Sequence, residues 1–231
     1  MKNHYKHIFF DLDHTLWDFE ANSNETLGDL YEIYDFDQFG FKLPQFLEIY
    51  HIENALLWND YNHGRINQEE LRKTRFTRVL TALGLNTEQV PLGIDEKYLE
   101  ICPKKPYVMP HTFTILDYLR KDYDLHIITN GFEDVQAIKL STSGLKDYFE
   151  GVITSELAGY KKPSREIFDF AMEHTNSDRA QSIMIGDNLE TDIAGAKNAE
   201  LDQVFFNPAK VDHSAKPTYE IHGLNELMNI L

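Results

Sequence analysis

The 231-residue chain has a single cysteine, Cys102. No intramolecular disulfide can form, and one thiol cannot build a zinc–thiolate cluster. Its neighbourhood, EICPKKP, offers nothing to activate a thiolate, so Cys102 reads as a bystander. Long hydrophobic runs are also missing. No stretch reaches the roughly 18 apolar residues that span a bilayer. The N-terminal MKNHYKHIFFDLD lacks the apolar core of a secretion signal, because its short apolar run ends in two aspartates. A soluble, cytoplasmic protein is therefore expected. Basic residues are scarce: 22 Lys and Arg stand against 38 Asp and Glu, for a formal charge of −16. Such a surface repels nucleic-acid polymers and anionic membranes, which are held through Lys and Arg. A small phosphorylated ligand is not excluded, since a metal and one or two local cations can screen one pocket.

What is present argues for a well-packed protein. Hydrophobic residues make up 42 %, with 15 Phe and 12 Tyr, which suits a sizeable core rather than disorder. The length fits one large domain, or a core with a smaller second domain. Five short apolar runs read as strands: His7–Leu12, Leu125–Thr129, Gly151–Thr154, Ser182–Gly186 and Gln203–Phe206. A weaker run, Thr218–Ile221, suits an edge strand. Nearly continuous apolar character fits strands covered on both faces, as in a parallel sheet. Helical spacing separates them, as with Phe113, Leu116 and Leu119, or Ile167, Phe168, Ala171 and Met172. This alternation predicts an α/β fold with a doubly wound, Rossmann-like parallel sheet.

One interval breaks the rhythm. Between the first strand and Leu125 the patterning is helical: Phe46, Leu47, Tyr50, Asn54, Leu57 and Tyr61 share one face, and Phe76, Val79, Leu80 and Leu83 another. Asn67 and Glu70 have capping-box spacing. Residues 17–105 are read as an inserted helical domain, with 1–16 and 106–231 forming the α/β core. Pro103, Pro106 and Pro110 mark the return.

Four segments carry chemistry at or near predicted strand ends, where open α/β sheets bind ligands. In FFDLDHTL, Asp11 and Asp13 lie two apart, and a strand would point both the same way. Clustered carboxylates repel unless a cation or a shared proton intervenes, and such a pair can divide the roles of ionised nucleophile and general acid. Alone, the pair reads equally well as a solvated turn. Thr15 can bond the turn backbone. In IITNGF, Thr129, Asn130 and exposed N–H groups can hold phosphoryl oxygens, but Asn-Gly is also an ordinary turn. In GYKKPSREIF, either Lys161 or Lys162 can offset acidic charge, with Pro163 favouring Lys162 as the inward residue; surface lysine pairs are otherwise solvated. In MIGDNLETDI, Asp187 suits a hard cation such as Mg²⁺ or, alternatively, a helix N-cap, with Asp192 one turn on in support.

In combination, DxDxT, a strand ending in Thr, Lys-Pro and GDxxxxD resemble the haloacid dehalogenase superfamily across the whole core. The resemblance implies that Asp11 attacks phosphorus to form an aspartyl-phosphate and that Asp13 is the general acid–base. It implies Mg²⁺ on Asp11, the backbone carbonyl of Asp13, and Asp187. It implies a phosphoryl group on Thr129, the Asn130 region and Lys162, with Thr15 and Asp192 as supporting residues. The insertion resembles the family's helical cap, which closes over the site and selects the substrate. The expected reaction is hydrolysis of a small phosphorylated metabolite. A sugar phosphomutase uses the same motifs. A haloacid dehalogenase attacks carbon and has no use for Asp13, and a non-catalytic interaction module would not keep every motif filled. Within the insertion, LLWNDYNHGRINQEELRKTRF resembles the pyrimidine 5′-nucleotidase-like branch, which hydrolyses nucleoside monophosphates. Trp58, Tyr61 and Arg65 there are candidates to stack on a base or contact a sugar; the plainer alternative is core aromatics and a solvated Arg.

Overall fold

The structure, a computed structural model, describes residues 4–231. Among these residues six strands form one parallel sheet: β1 (His7–Phe10), β2 (Asp124–Thr129), β3 (Gly151–Thr154), β4 (Ser182–Gly186), β5 (Asp202–Phe206) and β6 (Tyr219–Ile221). Their order is β3-β2-β1-β4-β5-β6. The chain runs outward from β1 to β3, then crosses to the other side of β1 for β4 through β6. The winding reverses between β1 and β4, so the loops after these strands part and leave a crevice at their C-terminal ends. In register, Phe10 of β1 pairs with Ile127 of β2 and with Ile185 of β4. That places Asp11, Thr129 and Asp187 along one rim.

The sheet is buried because its residues are apolar on both faces. Phe9, Ile128, Ile153 and Met184 pack with Ile167, Phe168, Ala171 and Met172, the apolar stripe of the helix Arg165–His174. Four helices precede β2 within or at the border of the insertion: α1 (Phe19–Ile33), α2 (Leu43–Asn62), α3 (Gln68–Ala82) and α4 (Ile94–Ile101). The remaining helices are α5 (Thr112–Leu119), α6 (Glu133–Thr142), α7 (Ser155–Ala158), α8 (Arg165–His174) and α9 (Ala194–Asn198), the last entered through a π-helical turn, Leu189–Ile193. The chain divides into two compact units: residues up to Phe19 with Pro106–Leu231, and Glu20–Lys105. Among the described residues no helix is long and apolar enough to cross a membrane.

The helical unit is held by tilted, closely packed aromatic rings. Phe46 and Phe76 approach to 6.3 Å, Tyr50 and Tyr98 to 5.6 Å, and the Tyr50 hydroxyl donates to that of Tyr98 at 2.5 Å. Cys102 is buried in this layer with its Sγ 3.3 Å from the Tyr98 hydroxyl. The capping box at α3 forms in both directions, Asn67 with Glu70, at 2.9 Å each way.

Two local departures from the sequence reading matter for function. The first strand ends at Phe10 rather than Leu12. Asp11 N–H still reaches Ile185 of β4 at 2.9 Å, but the Leu12 carbonyl turns to accept from Leu16 and Trp17, and His14 takes a left-handed φ of 65°. Asp13 is thus carried out of the strand by a tight turn. Trp17, Asp18 and Phe19 belong with the α/β unit, not the insertion. The physical reason is Trp17, which is fully buried and bridges Asp13 on one side and Val108 on the other.

Candidate active site

Asp11 lies at the C-terminal end of β1 and is 8 % exposed. One carboxylate oxygen accepts from Lys162 Nζ at 2.6 Å and the other from the Thr15 hydroxyl at 3.3 Å. The same hydroxyl lies 3.2 Å from Asp187 Oδ1. A threonine has one proton to donate, so it cannot satisfy both carboxylates at once. Lys162 is fully buried, and its three N–H groups go to Asp11, to Asp192 at 2.7 Å and to the Ile128 carbonyl at 2.8 Å. Although burial disfavours its charge, Asp11 and Asp192 outweigh that and hold Lys162 protonated.

Asp192 is placed by the turn after β4. Its Oδ2 accepts from the Asn188 N–H at 3.0 Å, while the Asn188 side chain caps Glu190 and Thr191, each at 2.9 Å. Gly186 makes room for it. A Cβ at that position would stand 2.6 Å from the Asp192 Cβ, and closer still to its carboxyl group. Asp192 therefore spends its oxygens mainly on protein donors, whereas Asp11 and Asp187 keep acceptor capacity toward the crevice.

Oxygens of Asp11, Asp187 and Asp192 all come within 4.8 Å of one another. Burial pushes the Asp11 carboxyl well above the usual carboxylate range, with Asp192 and Asp187 adding to the shift and Lys162 opposing it. Burial and Asp192 likewise push Asp187 up to about 7. Among the described residues, three clustered carboxylates have one buried ammonium in their midst, and it pairs with Asp11 and Asp192. The arrangement lacks positive charge, and its donors are hard oxygens, which fits a divalent cation of the Mg²⁺ type.

Asp13 faces different partners. Its Oδ1 accepts from Lys139 Nζ at 2.5 Å and its Oδ2 from Gln136 Nε2 at 2.8 Å. Burial would raise its pKa, but the Lys139 charge and these hydrogen bonds outweigh burial and hold Asp13 below the usual range. The sequence reading had both aspartates on one side of a strand. The turn after Leu12 instead gives each its own partners.

Thr129 ends β2 with its hydroxyl oxygen accepting from Gly131 N–H at 3.0 Å and Gln136 Nε2 at 2.9 Å. With both acceptor positions used, its own proton is left to donate. The Asn130 amide is spent on the backbone of Lys162: Nδ2 donates to the Lys162 carbonyl at 2.9 Å and Oδ1 accepts from its N–H at 2.8 Å. Its side chain thereby fixes the lysine loop. Lys161 is half-buried, and burial lowers its pKa.

The insertion residues divide. Tyr61 is buried on α2, and Trp58 is half-buried with its ring edge-on to Tyr61 at 5.5 Å. Arg65 is exposed and bonds Asp60 at 2.7 Å. Sequence reasoning missed Gln136 and Lys139. The signal was an inverted helix: on α6 the inward positions 136, 139 and 140 include a glutamine and a lysine, while Ile138 faces outward, 37 % exposed.

Comparison with known proteins shows the family. Residues 5–200 match the model of the haloacid dehalogenase-like hydrolases. The chain is 31 % identical over 231 residues to the pyrimidine 5′-nucleotidase PynA of Streptococcus pneumoniae, covering 98 % of this chain and 95 % of that one. It is 32 % identical over 227 residues to the pyrimidine 5′-nucleotidase YjjG of Escherichia coli, covering 97 % and 96 %. The magnesium-bound crystal structure of the HAD-hydrolase YfnB from Bacillus subtilis superposes with a TM-score of 0.87 at 31 % identity, covering 98 % of each chain. A six-stranded parallel sheet with paired aspartates at its switch point, matched in sequence over most of its length, makes this chain a member of the haloacid dehalogenase-like hydrolase family.

Proposed function

We propose that this phosphoric monoester hydrolase acts on a small phosphorylated metabolite, with pyrimidine nucleoside monophosphates the first class to try, through an aspartyl-phosphate on Asp11. The observation that carries the reading is the setting of Asp11, a carboxylate at the sheet's switch point bonded to Lys162 and sharing Thr15 with Asp187. In the first step an Asp11 oxygen attacks phosphorus, the bond to the leaving oxygen breaks, and Asp13 supplies that oxygen's proton. In the second, Asp13 takes a proton from water, the water oxygen bonds to phosphorus, and the bond to Asp11 breaks to free phosphate. Held as a carboxylate by Lys139 and Gln136, Asp13 has the protonation of the second step and takes up a proton before the first. Thr129, the backbone at Asn130, and Lys162 orient the phosphoryl group, and Lys162 offsets its charge.

Asp11, Asp187 and the backbone carbonyl of Asp13 are the proposed holders of Mg²⁺, with Asp192 and Thr15 steadying Lys162 and the two carboxylates. When bound, Mg²⁺ supplies positive charge that screens the phosphoryl oxygens from the carboxylates. The nucleotide preference rests on the two pyrimidine 5′-nucleotidases to which the chain is similar and on the α2–α3 stretch. Of the three insertion residues, Trp58 is proposed to meet the substrate, since Tyr61 is buried beside it and Arg65 is turned to Asp60.

The test is hydrolysis of a generic aryl phosphate. Activity should need Mg²⁺ and stop with a chelator. Asp11→Asn should lower turnover by about 10⁴-fold or more with the fold intact. Full activity in that variant would sink the mechanism. A panel of phosphorylated metabolites tests the substrate class: equal rates across the panel remove the nucleotide preference.

A further inference from the structure

We infer that Lys139, together with Gln136, is a positioning device for Asp13, fixing the carboxylate after the chain has left the strand. The inference rests on the proposed role of Asp13 as acid–base. The turn after Leu12 takes Asp13 out of the sheet's hydrogen bonding and bridges its backbone to Trp17, so the setting of its carboxylate comes from side chains. Lys139 and Gln136 supply one contact to each carboxylate oxygen, at 2.5 and 2.8 Å. Two donors on two oxygens fix both the place of the carboxylate and the rotation of its plane, which a single contact cannot do.

The donors are themselves held. Lys139 is 6 % exposed, and its ammonium sits 4.4 Å from the centre of the Trp17 ring and 6.0 Å from that of Phe19. Trp17 closes the same turn that carries Asp13, since the His14 N–H bonds the Trp17 carbonyl at 2.9 Å. The lysine is therefore cradled by the loop it orders. Gln136 is fully buried, and its amide nitrogen also donates to Thr129, at 2.9 Å. It thus spans two proposed parts of the site, the hydroxyl that faces the phosphoryl group and the carboxylate that moves its proton. Gly131 permits this span. A Cβ there would stand 3.0 Å from Gln136 Cγ and nearer still to the amide. Burying a lysine and a glutamine on the inward stripe of a helix costs desolvation, and the retained contacts go to a residue proposed to act in both steps.

Misplacing a general acid–base by a fraction of a bond length slows chemistry without weakening substrate binding. Lys139→Met, which keeps the stem and removes the charge, should lower kcat by about 10- to 100-fold with KM changed by less than about 2-fold. Gln136→Leu should do the same to a smaller degree. The decisive measurement is a double-mutant cycle with Asp13→Asn on an aryl phosphate. Asp13→Asn alone should cost about 10²- to 10⁴-fold in kcat. Adding Lys139→Met to it should cost no more than about a further 2-fold, because a residue that acts through Asp13 has nothing left to position. Rapid-quench experiments on both single variants should also show a burst of product followed by slow release of Asp11-bound phosphate. Full multiplication of the two losses, or a rise in KM with kcat unchanged, overturns the inference and makes Lys139 a structural or substrate-contacting residue. Wild-type turnover in Lys139→Met beside a large loss in Asp13→Asn overturns it while leaving the proposed mechanism standing. Wild-type turnover in Asp13→Asn overturns both. Gln136→Leu keeps the cycle decisive if Lys139→Met does not fold.

Discussion

On one side of the turn that follows β1, three carboxylates meet a single ammonium; on the other, one carboxylate meets an ammonium and an amide. Burial raises Asp11 and Asp187 above the usual carboxylate range, and the excess negative charge of the first group adds to that shift. The second group is balanced, and Asp13 stays ionised. Asp11 and Asp13 are the same residue type, two positions apart, and differ in their surroundings. These surroundings make one the member of a carboxylate cluster short of positive charge and the other the member of a closed set of donors. The proposed reaction, in which one carboxylate bonds to phosphorus while the other only carries a proton, needs this division.

The contrast can be broken most severely at Lys162. Lys162→Met should leave Asp11, Asp187 and Asp192 without their ammonium, lowering turnover by about 10³-fold or more and destabilising the metal-free protein by about 3–5 kcal/mol near pH 8. Denaturant melts with and without Mg²⁺ check this, and a stability unchanged in metal-free buffer contradicts the charge imbalance. A second, intermediate effect should appear in the pH dependence of the metal-free wild type. Asp187 titrates near 7 in the folded state against 3.8 as its ordinary value, and Asp11 also lies above it. A raised carboxyl favours the folded state most below its unfolded pKa, and that advantage is lost as pH rises through the folded one. Thermal stability contributed by this cluster should therefore fall between about pH 4 and about pH 7, with Mg²⁺ restoring more of it at pH 8 than at pH 5. Asp187→Asn should flatten the fall; an equally steep fall in that variant assigns it to other groups. The smallest effect belongs to the balanced side. Lys139→Met removes the partner of a carboxylate whose side chain is 24 % exposed, and water can take over part of the role. A stability loss of about 1–2 kcal/mol is expected, well under that of Lys162→Met. Equal losses at the two lysines would erase the contrast.

Much of this architecture can be read from residue order. The strands are short apolar runs bounded by turns, and covering both faces of a parallel sheet leaves few other places for HIFF, HIIT or SIMIG. Asp11, Thr129 and Asp187 are legible because a strand end followed by a polar residue is a local signal, and the sheet's winding brings such ends together. What stayed hidden depends on three-dimensional neighbours. The turn that removes Asp13 from the strand is closed by Trp17, a contact with Val108 about ninety positions away. Gln136 and Lys139 have the residue types of a solvated helix face, and only the burial of that face shows them to be internal. Asn130 looks like a turn residue with a free amide, yet its amide is committed to a loop 32 positions downstream.

Gly186 has a consequence for how this site tolerates change. The carboxylate of Asp192 occupies the space that a side chain at 186 would fill, and from there it shares Lys162 with Asp11. Adding a single methyl group would displace one claimant on that ammonium and leave the other with a larger share. A substitution that alters no charge would thus redistribute charge, tuning Asp11 from a position that never touches it. In this corner of the molecule, shape and electrostatics are one variable.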